Sequence, residues 1–162
     1  MTEIRFHLKT DEYGFLSNFF PLPRPLLLNG QEWPTSEHYF QAQQFVETDP
    51  EHAQAIRLTE HPAKAWRMGN DKSHPRRADW ESVRDDVMRR AVRAKFHQNP
   101  ELGARLLATG DARLVEHTST DAYWGDGGDG TGRNRLGEIL MAVRDELRRE
   151  CPQVPERTEP AK

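Results

Sequence analysis

WESVRDDVMRRAVRAKFHQ, residues 80–98, is the stretch that decides the fold of this chain. Its apolar residues recur every three or four positions, which is the period of one face of an α-helix. Asp79 stands at the N-cap position before this run, and Pro100 limits its extension at the other end. We therefore predict a long amphipathic helix over residues 80–98 that buries one apolar face in a core. That face consists of Trp80, Val83, Val87, Ala91 and Ala94.

Helical patterns continue on both sides of this run. Glu37 lies in the first turn of a predicted helix that follows Pro34. Pro50 and Pro62 each stand where a first helical turn begins, a position that proline favours. Further helices are therefore predicted over residues 51–58, 63–68 and 101–108, and from Asn134 onward.

Strand patterns are confined to short segments. Ile4, Phe6 and Leu8 alternate with polar residues, as in a half-buried strand, and Asn29-Gly30 is a strong hairpin-turn signal. A further extended piece is predicted over residues 113–117. The predicted fold class is therefore mainly α, a single multihelical domain over residues 1–150 with a small N-terminal β element. Residues 151–162 hold three prolines and almost no apolar side chains, so they are predicted to form a disordered C-terminal tail.

The composition limits the classes of protein and partner. A charged fraction of 30% against a hydrophobic fraction of 35% favours a helical protein with long solvated faces over a sheet sandwich. The net charge of −3 gives no global positive field, so DNA binding is disfavoured as the main role. Cys151 is the single cysteine, and no apolar run approaches the roughly 18 residues of a membrane span. These features predict a cytoplasmic protein with no membrane partner.

DAYWGDGGDGTGRNRLG, residues 121–137, has the composition of a binding loop. Its glycines allow the backbone to approach a ligand closely, Tyr123 and Trp124 offer flat faces for stacking, and its aspartates supply carboxylates. The helix that follows begins with unpaired N–H groups, which favour an anion. The sequence therefore predicts a site for a charged ligand that carries a ring.

The same loop lacks the signatures of nucleotide and metal sites. No Gly-Lys-Ser/Thr follows its glycines, as a P-loop requires, and no convincing βαβ strand precedes them, as a dinucleotide fingerprint requires. His117, Asp126 and Asp129 have neither EF-hand spacing nor paired histidine ligands. We therefore predict that the site uses no metal and no cofactor.

Several other residues have both a functional and a structural interpretation. Glu37 fits a general acid or a stabiliser of positive charge, but also a first-turn glutamate that complements the helix dipole. Asn18 fits a hydrogen bond to a ribose or base, but also a turn cap. Trp80 fits a stacking surface or a buried anchor. The cations of residues 64–80 fit a phosphate site or a solvated basic face, and the residues alone leave these alternatives open.

Six strings of the sequence resemble motifs of the NADAR, or YbiA-like, family, and they occur in family order. The similarity spans residues 4–149 and excludes only the tail. One departure is Gln44, because family members commonly have lysine there, and it affects substrate choice rather than reaction type. The strings are GFLSNF (14–19), WPTSEHYFQA (33–42), AKF (94–96), LVEHT (114–118), DAYWGDGG (121–128) and GRNRLG (132–137).

The resemblance implies a mainly helical N-glycosidase that hydrolyses the bond between a ribose anomeric carbon and a nitrogen. Glu37 and Asp121 are the implied catalytic residues, by their positions in the motifs. Glu37 would stabilise a cationic transition state or activate water. The implied substrate-binding residues are Asn18, Phe19, Trp80, Trp124, Gly125, Asp126, Gly127, Arg133 and Asn134.

Two substrate classes are implied, and both contain a ribose, a phosphate and a nitrogen leaving group. The first is a small-molecule phosphoribosylamino-pyrimidine intermediate of riboflavin synthesis. The alternative is ADP-ribose attached to guanine in modified nucleic acid. The acidic net charge favours the small molecule. A third hypothesis, from another class of protein, is a non-catalytic module that binds ADP-ribose or NAD derivatives through the same aromatic and anion sites.

Overall fold

Helices are the main secondary structure of this computed structural model, which describes residues 2–150. The predicted mainly α fold with a small β element is confirmed. Pro50, Pro62 and Pro100 are the first residues of their helices, so these three helices begin one residue earlier than predicted. The predicted tail over residues 151–162 lies outside the described residues. The helices are α1 (Ser36–Ala42), α2 (Pro50–Leu58), α3 (Pro62–Gly69), α4 (Trp80–Gln98), α5 (Pro100–Ala108) and α6 (Arg135–Glu150).

One small sheet joins the start of the chain to the segment before the binding loop. Strand β1 (Glu3–Phe6) pairs in parallel with β4 (Arg113–Glu116), with Ile4 opposite Leu114. The first strand ends at Phe6 and not at Leu8, because the Leu8 N–H donates to a carboxylate three residues further on and the chain turns. The extended piece predicted over residues 113–117 is therefore the strand β4, and it pairs with β1, which is distant in the sequence.

The second sheet is the predicted hairpin. Strand β2 (Leu26–Leu28) pairs antiparallel with β3 (Gln31–Trp33). Asn29 and Gly30 connect the two strands with φ of 55° and 73°, and both positive values suit a two-residue hairpin turn. The hairpin prediction is confirmed.

The long helix α4 packs against α6 and α1, and these contacts build much of the core. Of its predicted apolar face, Val83 is only half-buried, and the other members are buried. No helix in residues 2–150 has the length and apolarity to cross a membrane. The α4–α6 seam contains the buried residues Val87, Met88, Ala91 and Val92 from α4, and Leu136, Ile139, Leu140 and Val143 from α6.

The start of α4 differs from the prediction in one detail. Asp79 is the residue before the helix, but its side chain makes no capping hydrogen bond. Its carboxylate instead accepts two hydrogen bonds from the Arg77 guanidinium, at 2.6 and 3.0 Å. The predicted Asp79 cap is therefore wrong, because a two-point ion pair outweighs a bond to a backbone N–H.

Helix α1 lies among α2, α3 and α4, and every one of its residues is buried. Thr35 supplies the cap, since its Oγ1 accepts a hydrogen bond from the His38 N–H at 3.2 Å. The short helix therefore places its first turn, with Glu37, inside the protein and not on the surface.

Candidate active site

Glu37 is a carboxyl group buried in the first turn of α1, with only 5% of its surface exposed. Its backbone N–H donates to the Asn18 carbonyl at 3.3 Å, and its Oε1 accepts from Gln41 Nε2 at 2.8 Å. Burial raises the pKa of Glu37 to about 7; the Gln41 hydrogen bond opposes this rise, and the nearby charge of Asp121 adds to it. Glu37 can therefore gain or lose a proton near neutral pH.

The Gln41 amide is oriented by a second glutamine. Gln44 Nε2 donates to Gln41 Oε1 at 2.7 Å, so the Gln41 nitrogen faces Glu37. Gln44 Nε2 also lies 3.1 Å from the Gln41 carbonyl and 3.2 Å from the Gly69 carbonyl. A Cβ at Gly69 would lie 1.9 Å from Gln41 Oε1, so this chain of amides needs glycine there. Gln44 thus donates a hydrogen bond toward the carboxyl site through Gln41.

Asp121 approaches Glu37 from the binding loop. Its Oδ1 accepts hydrogen bonds from the backbone N–H groups of Tyr123 and Trp124, both at 2.8 Å. These two hydrogen bonds fix the direction of the Asp121 side chain. The charge of Asp121 contributes to the raised pKa values of both Glu37 and Glu116, so the fold brings the two predicted catalytic residues together from distant parts of the chain.

Glu116, at the end of β4, is a third carboxyl group that the sequence reasoning missed. Burial raises its pKa to about 8, with smaller contributions from the charges of Asp121, Glu37 and Asp126. It belongs to the string LVEHT, but an acidic residue on a short strand is typical of an exposed face. The one sequence signal that could have identified Glu116 as a site residue is its position shortly before the binding loop of residues 121–137.

Asn134 and Asp126 hold the loop against β4. Asn134 has φ of 51°, its Nδ2 donates to the Leu114 carbonyl at 2.9 Å, and its Oδ1 accepts from the Glu116 N–H at 3.0 Å. Asp126 Oδ2 lies 2.8 Å from His117 Nδ1, and its Oδ1 accepts from two backbone N–H groups. Both side chains thus position Glu116 and the loop, while their predicted contact with substrate stays a prediction.

The two predicted glycines of the loop also meet tight local constraints. A Cβ at Gly125 would lie 2.8 Å from the Glu116 carbonyl oxygen, which leaves no room for a larger residue. Gly127 has φ of 74°, a conformation that residues with a Cβ rarely adopt. These constraints let the loop fold back over Glu116.

A row of aromatic rings lies beside the carboxyl groups. The Phe40 ring is 5.1 Å from Trp80 and 5.3 Å from Trp124, and Trp124 is 4.9 Å from Tyr123. Trp80 is only 4% exposed, so it occupies the position of a buried anchor beneath Phe40. Trp124 and Tyr123 are half-buried and present part of their surface to solvent. Stacking on a base is therefore better suited to Trp124 than to Trp80.

Asn18 and Phe19 belong to the segment that covers the start of α1. Asn18 Oδ1 accepts from Ser36 Oγ at 2.9 Å, and its Nδ2 lies 3.3 Å from Met88 Sδ. Phe19 is half-buried, and its backbone N–H donates to Ser17 Oγ at 3.2 Å. Asn18 therefore ties this segment to Glu37 through α1, and the substrate contacts of both residues remain predictions.

Lys95 is a second buried titratable group that sequence reasoning left without a role. Its side chain is buried in α4, and Nζ donates to the Ser17 carbonyl at 2.9 Å. Burial lowers the pKa of Lys95 to about 7. Its place in the apolar period of α4, next to Ala94, was the available signal, since a lysine there must lie inside the protein.

The structure also bears on the metal and phosphate alternatives. Among residues 2–150, no three His, Cys, Asp or Glu side chains converge closely enough to hold a metal ion. Gln44 and the loop that contains Lys72 and Arg76 line a cavity of about 350 Å³. Arg76 lies 3.7 Å from Glu81, so one cation of this loop already has a partner. A larger cavity, of about 460 Å³, lies beside Thr2 and Ala112, at the sheet formed by β1 and β4.

Comparisons with known proteins identify the family to which the chain belongs. A profile of the NADAR domain matches residues 5–148. The chain belongs to the NADAR domain family. It is 54% identical over 146 residues to the N-glycosidase YbiA of Escherichia coli, covering 90% of this chain and 89% of that protein. Because this similarity extends over nearly the whole of both chains, the protein is an enzyme, a hydrolase that acts on N-glycosyl bonds.

Two further comparisons concern the fold and a longer relative. The NMR structure of E. coli YbiA superposes with a TM-score of 0.84 at 51% identity, covering 98% of this chain and 92% of that one. A riboflavin biosynthesis protein of Vibrio vulnificus is 46% identical over 149 residues, which is 92% of this chain but only 40% of that protein. The chain therefore corresponds to one part of the Vibrio protein and to nearly all of YbiA.

Proposed function

We propose that the protein hydrolyses the N-glycosidic bond of a phosphoribosylamino-pyrimidine intermediate of riboflavin biosynthesis. The observation that carries this proposal is that Asp121, which accepts a hydrogen bond from the Trp124 N–H, lies near enough to Glu37 and Glu116 for its charge to raise both of their pKa values. The Trp124 ring lies 5.3 Å from the ring of Phe40, which follows Glu37 in α1. Hydrolysis of a ribosyl bond needs a negative charge at the cationic sugar and proton transfer to and from the reacting groups. The name of the Vibrio relative supports the choice of pathway.

Asp121 and Glu37 take different parts in the proposed reaction. Asp121, oriented by two backbone N–H groups, provides the negative charge that stabilises the positive charge developing on the anomeric carbon. Glu37, with a pKa of about 7, accepts a proton from the water that attacks this carbon. Water oxygen forms the new bond to carbon, and the carbon–nitrogen bond breaks with its electron pair leaving on nitrogen.

Glu116 completes the proton balance in this proposal. Its pKa of about 8 keeps it protonated at neutral pH, so it can donate a proton to the departing nitrogen. The proton taken up by Glu37 and the proton lost from Glu116 are then exchanged through solvent. Trp124 supplies the partly exposed ring on which the pyrimidine stacks.

A second candidate substrate is ADP-ribose attached to guanine in nucleic acid. It has the same ribosyl–nitrogen bond, so the same three carboxyl groups would act on it. The net charge of −3 favours the small molecule over this substrate.

A product assay separates these functions. The protein is incubated with a phosphoribosylamino-pyrimidine and, separately, with an ADP-ribosylated guanine oligonucleotide, and the released sugar phosphate and base are quantified. We expect release of ribose 5-phosphate from the first substrate and its loss in Glu37→Gln. Release of product from the oligonucleotide alone would show that ADP-ribosylated guanine is the substrate instead. Saturable binding of both ligands without any product would show a non-catalytic binding module.

A further inference from the structure

Two guanidinium groups lie over the ring of Tyr123. The Arg84 Cζ lies 3.6 Å from the ring centroid, and the Arg133 Cζ lies 5.2 Å from it. Arg84 comes from α4 and Arg133 from the end of the binding loop, so the fold has to bring them to one ring. We call these three residues the Arg84–Tyr123–Arg133 cluster.

The two arginines of the cluster lack acidic partners in the described part of the chain. Neither makes an ion pair within residues 2–150, and Arg84 Nε is buried without a hydrogen-bond acceptor. The nearby Arg135, in contrast, bonds both Asp85 and Glu138. Stacking on the ring thus positions two permanent positive charges while leaving their donors unused.

The cluster is held rigidly beside the proposed catalytic carboxylate. The Tyr123 hydroxyl donates to Asp85 Oδ1 at 2.5 Å, and the Tyr123 N–H donates to Asp121 Oδ1 at 2.8 Å. The Arg133 N–H donates to the Ala122 carbonyl at 2.8 Å. The same short segment therefore fixes Asp121, the Tyr123 ring and the Arg133 backbone. A group bound by the cluster would then be one part of the same ligand whose reacting bond lies at Asp121.

An oxyanion is the ligand that this arrangement fits. Two like charges near one another repel, and an anion between or beside them removes that repulsion. Guanidinium groups match phosphate oxygens by two-point hydrogen bonding. Suppose that the ribosyl–nitrogen bond of the substrate lies at Glu37 and Asp121. The phosphate on the ribose is then the anionic group of the substrate that would contact the cluster.

We propose that Arg84 and Arg133, set by Tyr123, form the binding site for the phosphate of a phosphorylated ribosyl ligand. The inference rests on the proposed function for its orientation relative to Asp121. It does not depend on which nitrogen base leaves, because the phosphate is common to both candidate substrates.

Direct binding of ribose 5-phosphate tests this site. Titration is followed by NMR or calorimetry for the unmodified protein, Arg84→Gln, Arg133→Gln and the control Arg90→Gln. Arg90 is an exposed residue on α4, so its substitution removes the same charge from the same helix. We expect affinity to fall about tenfold or more in the two cluster variants, the loss expected when a charged hydrogen bond to a ligand is removed, and to stay unchanged in Arg90→Gln.

Two further readouts keep the test decisive. Thermal unfolding checks that each variant is folded, and the exposed Arg133 allows a test even if Arg84→Gln does not fold. Tyr123→Phe should retain binding, since it keeps the ring, whereas Tyr123→Leu should lose it. Equal binding in the cluster variants and Arg90→Gln, or no binding of ribose 5-phosphate by the unmodified protein, would overturn the proposal.

The phosphate site and the proposed reaction can fail independently of each other. If ribose 5-phosphate binds through both arginines but no base is released from any substrate, the phosphate site stands and the proposed reaction fails. If Arg84→Gln and Arg133→Gln keep the kcat/KM of the unmodified enzyme on a phosphorylated substrate, the reaction stands and the phosphate site fails.

Discussion

Helices α1 and α6 both contribute side chains to the interior, but the kinds of side chain that they bury differ. The buried face of α6 is mostly apolar, with one buried arginine, Arg144, that is bonded to the Thr109 hydroxyl and the Ala112 carbonyl. Helix α1 buries Ser36, Glu37, His38 and Gln41 along with its apolar residues. Burial of apolar surface stabilises the fold, whereas a buried carboxyl group costs stability unless it is compensated.

The difference indicates which part of the protein is built for stability and which for chemistry. In α6 the periodic apolar residues that predict the helix are also the residues whose burial stabilises its packing. In α1 the polar groups are held by hydrogen bonds to one another, and Glu37 keeps a perturbed pKa that folding alone does not require. Substitutions in the two regions should therefore affect stability and activity in opposite ways.

The largest expected effect on stability is in the α4–α6 seam. Leu140 is fully buried, so Leu140→Ala should lower the free energy of unfolding by about 2–5 kcal/mol through lost burial and a residual cavity. Urea denaturation measures this. Leu58→Ala is the matched control, because Leu58 is a helical leucine that is 64% exposed. Equal losses in the two variants would contradict the assignment of α6 to the core, and kcat of the folded Leu140→Ala protein should be nearly unchanged.

The next effect belongs to the carboxyl site. Asp121→Asn keeps an oxygen that can accept from the Tyr123 and Trp124 N–H groups but removes the charge, so kcat/KM should fall on the order of 10²-fold. The pKa of Glu37 should also fall, because a neighbouring negative charge is removed. Steady-state kinetics across pH measure both. Asp129→Asn, an exposed change in the same loop, should retain activity, and a similar loss there would point to loop disruption instead.

A smaller effect is expected from the amide chain that orients Glu37. Gln41→Met removes the hydrogen bond that lowers the pKa of Glu37, so this pKa should rise by about one unit. Because water activation needs the Glu37 carboxylate, kcat/KM should fall up to about tenfold at pH 7 and recover toward pH 8. Gln44→Met should shift the profile in the same direction but less. A loss that is equal at every pH would contradict a positioning role for Gln41.

The smallest effect is expected on the outer surface of the α4–α6 seam. Arg93 bonds Glu146 at 3.0 Å and lies 3.7 Å from Glu150, but its side chain is 53% exposed. Arg93→Met should therefore change the free energy of unfolding by less than about 1 kcal/mol. Chemical denaturation at low and high salt measures this. A change as large as that of Leu140→Ala would show that ion pairs, and not apolar burial, hold α4 and α6 together.

Much of the fold follows from local patterns in the sequence. The period of apolar residues identified α4 over residues 80–98, and prolines at first-turn positions located α2 and α3. The Asn29-Gly30 pair identified the hairpin. Each of these signals lies within one element, and so it can be recognised without knowledge of the tertiary structure.

Pairings between distant segments could not be predicted in this way. The parallel pairing of β1 with β4 joins residues more than a hundred positions apart, and neither four-residue strand specifies the other. Asp79 was predicted as a helix cap, but a neighbouring arginine competes for its carboxylate. Such competition depends on side-chain geometry that a sequence pattern does not contain.

The same limit applies to the candidate site. The motifs selected Glu37 and Asp121, and the structure brings them together, but Glu116 and Lys95 acquire perturbed pKa values only through burial and neighbours that the fold supplies. Trp80 was left open between stacking and anchoring, and its burial against Phe40 depends on how α1 and α4 cross.

The central claim is that Glu37 is buried for chemistry at a cost in stability. Its folded pKa of about 7 lies above the value of 4.5 for an unperturbed glutamate, so the folded state binds the additional proton between these values. The stability that this proton confers is lost as pH rises through that window. At pH 8 the unmodified protein should therefore be about 3 kcal/mol less stable than Glu37→Gln, and the two should converge near pH 4.

One paired measurement on Glu37→Gln tests this claim most directly. Glycosidic activity and the free energy of unfolding are measured on the same preparation at pH 8 and at pH 4. We expect activity at pH 8 to fall by about 10²-fold or more while the free energy of unfolding at pH 8 rises. Full activity in Glu37→Gln, or a loss of stability at pH 8, would contradict it.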